Sequence, residues 1–290
     1  MIFKNYDLYI SIANNNKAKN EMEIYYCEFR QKLIQFFLVP YLKKDSKVLD
    51  IGCQYGDMSL PLAPFVDYLV ELDLSDRSLE KARNNANLLN IDNAYFIIGD
   101  ATSLPFDSDS FDVIIFLETI EHLPDVGLSL NEIYRILKPD GLLLIGTPQK
   151  LSLFNAGMNL LVSILSSFFR LILIIKTCRG GFFGKLQDHG IEFPQSNEGH
   201  NASALVNKTK TGYGHVQKYS RQGLARTLKD HGFRAVKEGG LPISLTRMIK
   251  YYFAFPSLAK LYKHLFKPEQ SFLLSRFGNQ IYFLSRSNKK

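Results

Sequence analysis

Four short stretches carry the residues able to do chemistry. Asp50-Ile-Gly52-Cys53-Gln54-Tyr55-Gly56 sets a carboxylate beside two glycines. Glycine lets backbone approach a ligand closely and frees amide N–H groups at the start of a helix. Asp73 follows at the end of the next apolar run, where a carboxylate can accept both hydroxyls of a ribose. Asp100, after Gly99, can take a hydrogen bond from the amino group of a base. Glu118-Thr-Ile-Glu121-His122 adds two carboxylates and an imidazole. Histidine titrates near neutrality, so His122 is a candidate proton acceptor, and His215 is a second. His189 and His200 lie in a polar stretch with glycines and read as loop.

These residues need a frame. Val48-Leu-Asp-Ile, Asp67 to Asp73, Ala94 to Gly99, Phe111 to Phe116 and Leu142 to Gly146 read as five short strands. Helical spacing separates them. One helix runs from Ser75, its N-cap, through Leu89, and another from Leu128 to Leu137 before the stop signal Lys138-Pro-Asp-Gly141. Pro61 and Pro64 fall where the first crossover helix should continue, which predicts a short or irregular element. Apolar strands alternating with helices imply βαβ units and a buried parallel sheet. The expected fold is doubly wound α/β, Rossmann-like, with ligands outside the carboxyl ends of the strands. The glycine turn, an acid on the second strand and an acid on the third, in that order, are a stronger signal than any one alone. Dinucleotide-dependent dehydrogenation would favour Gly-x-Gly-x-x-Gly at the first turn, and positions 54 and 57 are not glycine.

The set resembles class I S-adenosylmethionine (SAM)-dependent methyltransferases. Val48 to Gly56 is similar to that family's first motif, and Leu72-Asp-Leu-Ser75 to its acidic second-strand motif. Gly99 to Phe106 and Ser110 to Phe116 resemble the third and fourth, and Leu137 to Gly141 the segment before the fifth strand. Gly214-His215, Tyr219-Ser220 and Leu228 to Phe233 resemble the helix returning to the last two of seven strands. The resemblance implies SAM as cofactor, with Gly52 and its neighbours at the methionine part, Asp73 at the ribose, and Asp100 with Ala101 at the adenine. The implied binding set is Asp50, Gly52, Cys53, Gly56, Asp73, Leu74, Asp100, Ala101 and Leu117. Gln54 departs from the family, which usually has glycine there. Glu118 to His122 resembles the Glu-x-x-Glu-His stretch of quinone-pathway O-methyltransferases, in which the cluster is associated with a divalent metal. We assign no metal here, and the rival reading is that Glu121-His122 only positions the next helix.

The 290 residues are 46% hydrophobic and 22% charged, which excludes a disordered chain. Three cysteines make no disulfide scaffold and fit a reducing compartment, so the expected location is cytoplasmic; no secretory signal is read at the N-terminus. The net charge of +7 averages unlike halves: residues 1–150 carry 14 Lys and Arg against 22 Asp and Glu, and residues 151–290 carry 21 against 6. The expected organisation is an N-terminal helical segment (1–46), the SAM-binding core (47–150), a cap insertion (151–211), the returning core (212–240), a second cap insertion (241–278) and a final strand (279–290). Both insertions set apolar and aromatic residues beside basic ones. That suits the face of an anionic membrane, or a lid whose lysines are merely solvated. The expected partner is a small-molecule or lipid-linked methyl acceptor, methylated on oxygen. An RNA acceptor and a SAM-binding protein without turnover are the alternatives, and the aromatic pattern disfavours nucleic acid.

Overall fold

A computed structural model describes residues 21–149, 216–241 and 280–289. Helix α1 (Glu21–Leu38) leads into β1 (Lys47–Ile51), a 3-10 helix (Leu60–Phe65), β2 (Tyr68–Asp73), α2 (Asp76–Leu88), β3 (Ala94–Ile98) and β4 (Phe111–Leu117). A 3-10 turn (Ile120–His122), α3 (Val126–Ile136), β5 (Leu137–Pro148), α4 (Arg221–Asp230), β6 (Phe233–Leu241) and β7 (Gln280–Ser287) follow. The seven strands form one sheet in the order β3-β2-β1-β4-β5-β7-β6. The first five pair in parallel, and β7 runs antiparallel to both β5 and β6. The doubly wound, mostly parallel sheet is therefore the architecture that the apolar runs imply.

Alternation along the strands sorts side chains onto two faces. On one face Leu49, Ile51, Val70, Leu72, Ile114 and Phe116 cluster with Leu130 and Ile133 of α3 and Leu224 and Leu228 of α4. On the other, Val48, Leu69 and Ile115 cluster with Ile34, Phe37 and Leu38 of α1 and with Leu60 and Leu62. Asp50 lies between Leu49 and Ile51, and Glu71 between Val70 and Leu72, so both carboxyls belong to the second face.

Local chemistry explains the boundaries. Ser75 caps α2 by accepting a hydrogen bond from the Ser78 amide at 3.2 Å. Helix α3 begins two residues before the expected Leu128, because the Asp125 carboxylate accepts from the Leu128 amide and so caps at 125. It ends at Ile136, and β5 starts at once, since Leu137 already pairs with Phe111. The Lys138-Pro-Asp-Gly signal is thus a turn within the start of β5, with Asp140 at φ 59°. Pro61 and Pro64 leave the first crossover as a single 3-10 element, as their positions predict.

Winding proceeds from β1 outward to β3 and then crosses back to β4. The strand order reverses between β1 and β4, which sets the ligand crevice outside their carboxyl ends. Both cap insertions and His215 lie outside the described residues, apart from Leu241 at the end of β6. Among the described residues, no helix is long and apolar enough to cross a membrane.

Candidate functional site

The loop after β1 is the tightest piece of backbone at the crevice. Gly52 and Gly56 take φ of 74° and 69°, and a Cβ on Gly52 would fall on the Thr119 side chain. The Gly52 and Cys53 amides both donate to the Leu72 carbonyl, at 2.7 and 3.2 Å, tying the loop to β2. Gln54 also takes a left-handed φ of 51°. The conformation that glycine would adopt at no cost is therefore retained by a side-chain-bearing residue, at about 1 kcal/mol. Its side chain is exposed, and its amide donates to Asp73 Oδ2 at 3.0 Å, which holds the turn.

Asp73 does two jobs at the end of β2. Oδ2 accepts from Gln54 and Oδ1 from the Ser75 amide at 2.8 Å. A carboxylate has about four acceptor positions, so two remain after these bonds. Leu74 beside it is 66% exposed, an apolar side chain open to a ligand face. At the end of β3, Asp100 Oδ1 accepts from both the amide and the hydroxyl of Thr102, an Asx turn. Turn-capping thus occupies one oxygen of Asp100 and leaves Oδ2 open, while Ala101 next to it is buried.

Beneath the loop lies a group of buried acids. Asp50 and Glu71 are directly opposite each other on adjacent strands, 3% and 0% exposed. Ser59 donates to both oxygens of Glu71 at 2.8 and 3.0 Å. Burial pushes the Asp50 carboxyl up to about 7; Ser59 opposes this, Asp57 and Asp73 add to it, and Arg30 of α1 counters it. Burial, reinforced by Asp50, holds Glu71 well above the usual carboxylate range. Asp57 is raised, also chiefly by burial. Cys53 is likewise raised by burial, then by Glu71, so its thiol stays protonated. It is no nucleophile.

The loop after β4 completes the crevice. Glu118 takes φ 52°, a conformation that a non-glycine residue adopts only when its surroundings impose it. Thr119 Oγ1 donates to the Ile51 and Leu117 carbonyls at 3.3 and 3.0 Å, locking the β4 end onto the β1 end. Glu121 is 2% exposed; its Oε2 accepts from Thr147 at 3.0 Å, and its Oε1 lies 4.0 Å from His122 Nε2. The Glu121 carbonyl accepts from the Val216 and Gln217 amides, at 2.8 and 3.1 Å, and so holds the returning chain. Glu121 therefore serves positioning, while His122 keeps a partly exposed ring at the rim. Among the described residues, no group of three or more His, Cys, Asp or Glu is placed to hold a metal ion.

The structure brings Asp50, Gly52, Cys53, Gly56, Asp73, Leu117 and His122 to the carboxyl ends of β1, β2 and β4, with Asp100 and Ala101 beyond β3. Sequence reading missed Glu71, Ser59, Arg30 and Thr119. Glu71 left a signal, as a charge in the middle of an apolar strand. Ser59, Arg30 and Thr119 acquire their roles only through tertiary contact.

Residues 42–169 match the family model of the methyltransferase domain. The uncharacterized methyltransferase YcgJ of Bacillus subtilis is 35% identical over 99 residues, 34% of this chain and 39% of its own length. The 27-O-demethylrifamycin SV methyltransferase of Amycolatopsis mediterranei is 33% identical over 107 residues, 36% of this chain and 39% of its own. The demethylmenaquinone methyltransferase of Listeria welshimeri is 31% identical over 137 residues, 44% of this chain and 58% of its own. The chain thus spans about two fifths to three fifths of the length of these relatives. The crystal structure of YcgJ shares the fold at TM-score 0.53 and 19% identity, over 91% of this chain and 99% of its own. The matched segment contains β1 to β5, five of the seven strands, with the glycine turn and the strand-end acids. Over residues 42–169 this chain is thus similar to a methyltransferase domain, and the relatives that it matches there are methyltransferases.

Proposed function

We propose that this chain binds SAM across the ends of β1, β2 and β3 and transfers its methyl group to a small-molecule acceptor. The observation that carries the reading is Asp73: one carboxylate braces the turn at Gln54 and the start of α2, and still keeps acceptor positions for two hydroxyls. The group fits the residues present. Gly52 and Gly56 bear no side chain where backbone must come close, Leu74 offers an open apolar face, and Asp100 keeps a free oxygen for an amino group.

When bound, the cofactor supplies an electrophilic methyl carbon on a sulfonium. The chain's own work is to align, to exclude water and to take a proton. Gly52 and the Thr119 brace fix the cofactor side of the crevice. His122 stands at its rim beside the buried Glu121 and takes the acceptor's proton where the acceptor is a hydroxyl. His215 is the second candidate; the residue after it, Val216, is anchored to the Glu121 carbonyl.

An oxygen acceptor, and one presented at a lipid face, are the finer expectations. They rest on the composition of the two insertions, which lie outside the described residues. Calorimetry with SAM and S-adenosylhomocysteine tests the cofactor assignment, together with mass spectrometry of the purified protein for either compound. Binding in the micromolar range is expected, and absence of binding to both defeats the reading. Flotation with vesicles containing anionic lipid tests the lipid face: co-flotation at low salt supports it, and protein left at the bottom reduces the insertions to a lid.

A further inference from the structure

Glu118 carries a carboxyl that the fold positions but does not use. Its backbone is held at φ 52°, and its amide donates to the Gly146 carbonyl at 2.8 Å. Oε2 accepts from Gln280 Nε2 at 3.1 Å, and Gln280 is oriented in turn by the Tyr282 hydroxyl, which donates to its Oε1 at 2.9 Å. Oε1 is buried and makes no hydrogen bond. A buried acceptor left without a donor costs about 1–3 kcal/mol, and a strained backbone adds to that. Such a pairing is retained where a ligand supplies the missing partner.

The place of the group indicates the ligand. Thr119, the next residue, presses against Gly52 and donates to the Ile51 carbonyl. Arg30 of α1 acts electrostatically on Glu118 and also on Asp50 and Asp57, so all three carboxyls border one region under the cofactor turn. We propose that Glu118 is a cofactor-binding residue whose carboxylate pairs with the positive charge of the methionyl end of SAM, and that cofactor arrival expels the proton the carboxyl otherwise holds. This rests on the reading of the site as a SAM site.

The groups facing the carboxyl set the sign. Burial raises Glu118 to about 7, Glu121 adds to the rise, and Arg30 and the Gln280 hydrogen bond oppose it. Below that value the carboxyl is mainly protonated and must lose its proton when a cation arrives. Affinity for SAM therefore increases as pH rises through about 7, with proton release on binding below it.

Calorimetry of the full chain decides the matter without a methyl acceptor. With wild type near pH 6.5, the heat of SAM binding should vary with the ionisation enthalpy of the buffer, reporting a released proton. In Glu118→Gln that dependence should vanish and SAM affinity should fall about ten-fold or more, while affinity for 5′-methylthioadenosine, which has neither sulfonium nor amino-acid charge, stays within about two-fold. S-adenosylhomocysteine weakened alongside SAM puts the carboxylate at the ammonium; S-adenosylhomocysteine unchanged puts it at the sulfonium. Gln280→Ala keeps the carboxyl and removes the hydrogen bond that lowers its pKa, so the proton-release midpoint should move to higher pH. Wild-type heats that are the same in every buffer overturn the inference, as does equal weakening of SAM and methylthioadenosine. Failure of wild type to bind SAM at all defeats the cofactor reading instead.

Discussion

On one face of the sheet, Leu130 and Ile133 of α3 and Leu224 of α4 cluster with Ile114, Phe116 and Leu143 in a continuous apolar layer. On the other, Ile34, Phe37, Leu60 and Leu62 do the same around Val48 and Leu69, but that face also holds Asp50 and Glu71. The first face is built for stability alone. The second accepts two opposed carboxyls beneath the glycine turn proposed to receive the cofactor, a placement that costs stability. Positive-φ backbone and buried carboxyls thus gather at the carboxyl ends of β1, β2 and β4, and the opposite face offsets their cost.

The comparison breaks if the apolar face proves dispensable. Ile133→Ala should lower unfolding free energy by about 2–5 kcal/mol, read from urea midpoints, because α3 is rigidly packed there. It should leave the SAM affinity of the folded protein within about two-fold, since Ile133 belongs to the apolar cluster on the face away from Asp50 and Glu71. Gly52→Ala should do the reverse in kind: about 1–3 kcal/mol of destabilisation, from its φ of 74° and the collision with Thr119, with loss of most SAM binding. A Gly52→Ala protein that binds SAM as wild type does would show that the turn is not part of the site.

The acid face makes a pH prediction. Asp50, Asp57, Glu71 and Glu118 all have folded-state values raised above their usual ones. For Asp50 and Glu118, both raised to about 7, the folded chain therefore binds more protons than the unfolded chain between about pH 4 and about pH 7, and stability falls as pH rises through that window. The melting temperature without cofactor should be higher near pH 5.5 than near pH 8. Glu71→Gln keeps an acceptor for Ser59 while removing a buried titratable group. It should raise stability near pH 8 by about 1 kcal/mol and flatten the pH slope. A melting temperature that climbs from pH 5.5 to pH 8 would contradict the raised carboxyls of this region.

Much of the frame was legible because its signals are local. Parallel strands buried on both faces appear as unbroken apolar runs, and Ser75 and the paired prolines marked their elements directly. The start of α3 shifted because a cap at Asp125 outweighs the first apolar residue. The length of β5 depended on pairing with Phe111, which no local pattern shows. At the site, Asp73 and Gly52 were readable from type and order. That Asp73 braces Gln54 was not, because the bond joins residues 19 apart across two strands. The consequence matters for Gln54, whose left-handed φ of 51° is held by that bond.

Titration of SAM into the purified wild-type chain and into Asp73→Ala is the most direct test of the cofactor site. The account predicts saturable binding with one SAM per chain in the wild type, and affinity lower by about ten-fold or more once Asp73 is gone. Wild-type protein that is folded and binds neither SAM nor S-adenosylhomocysteine would contradict it.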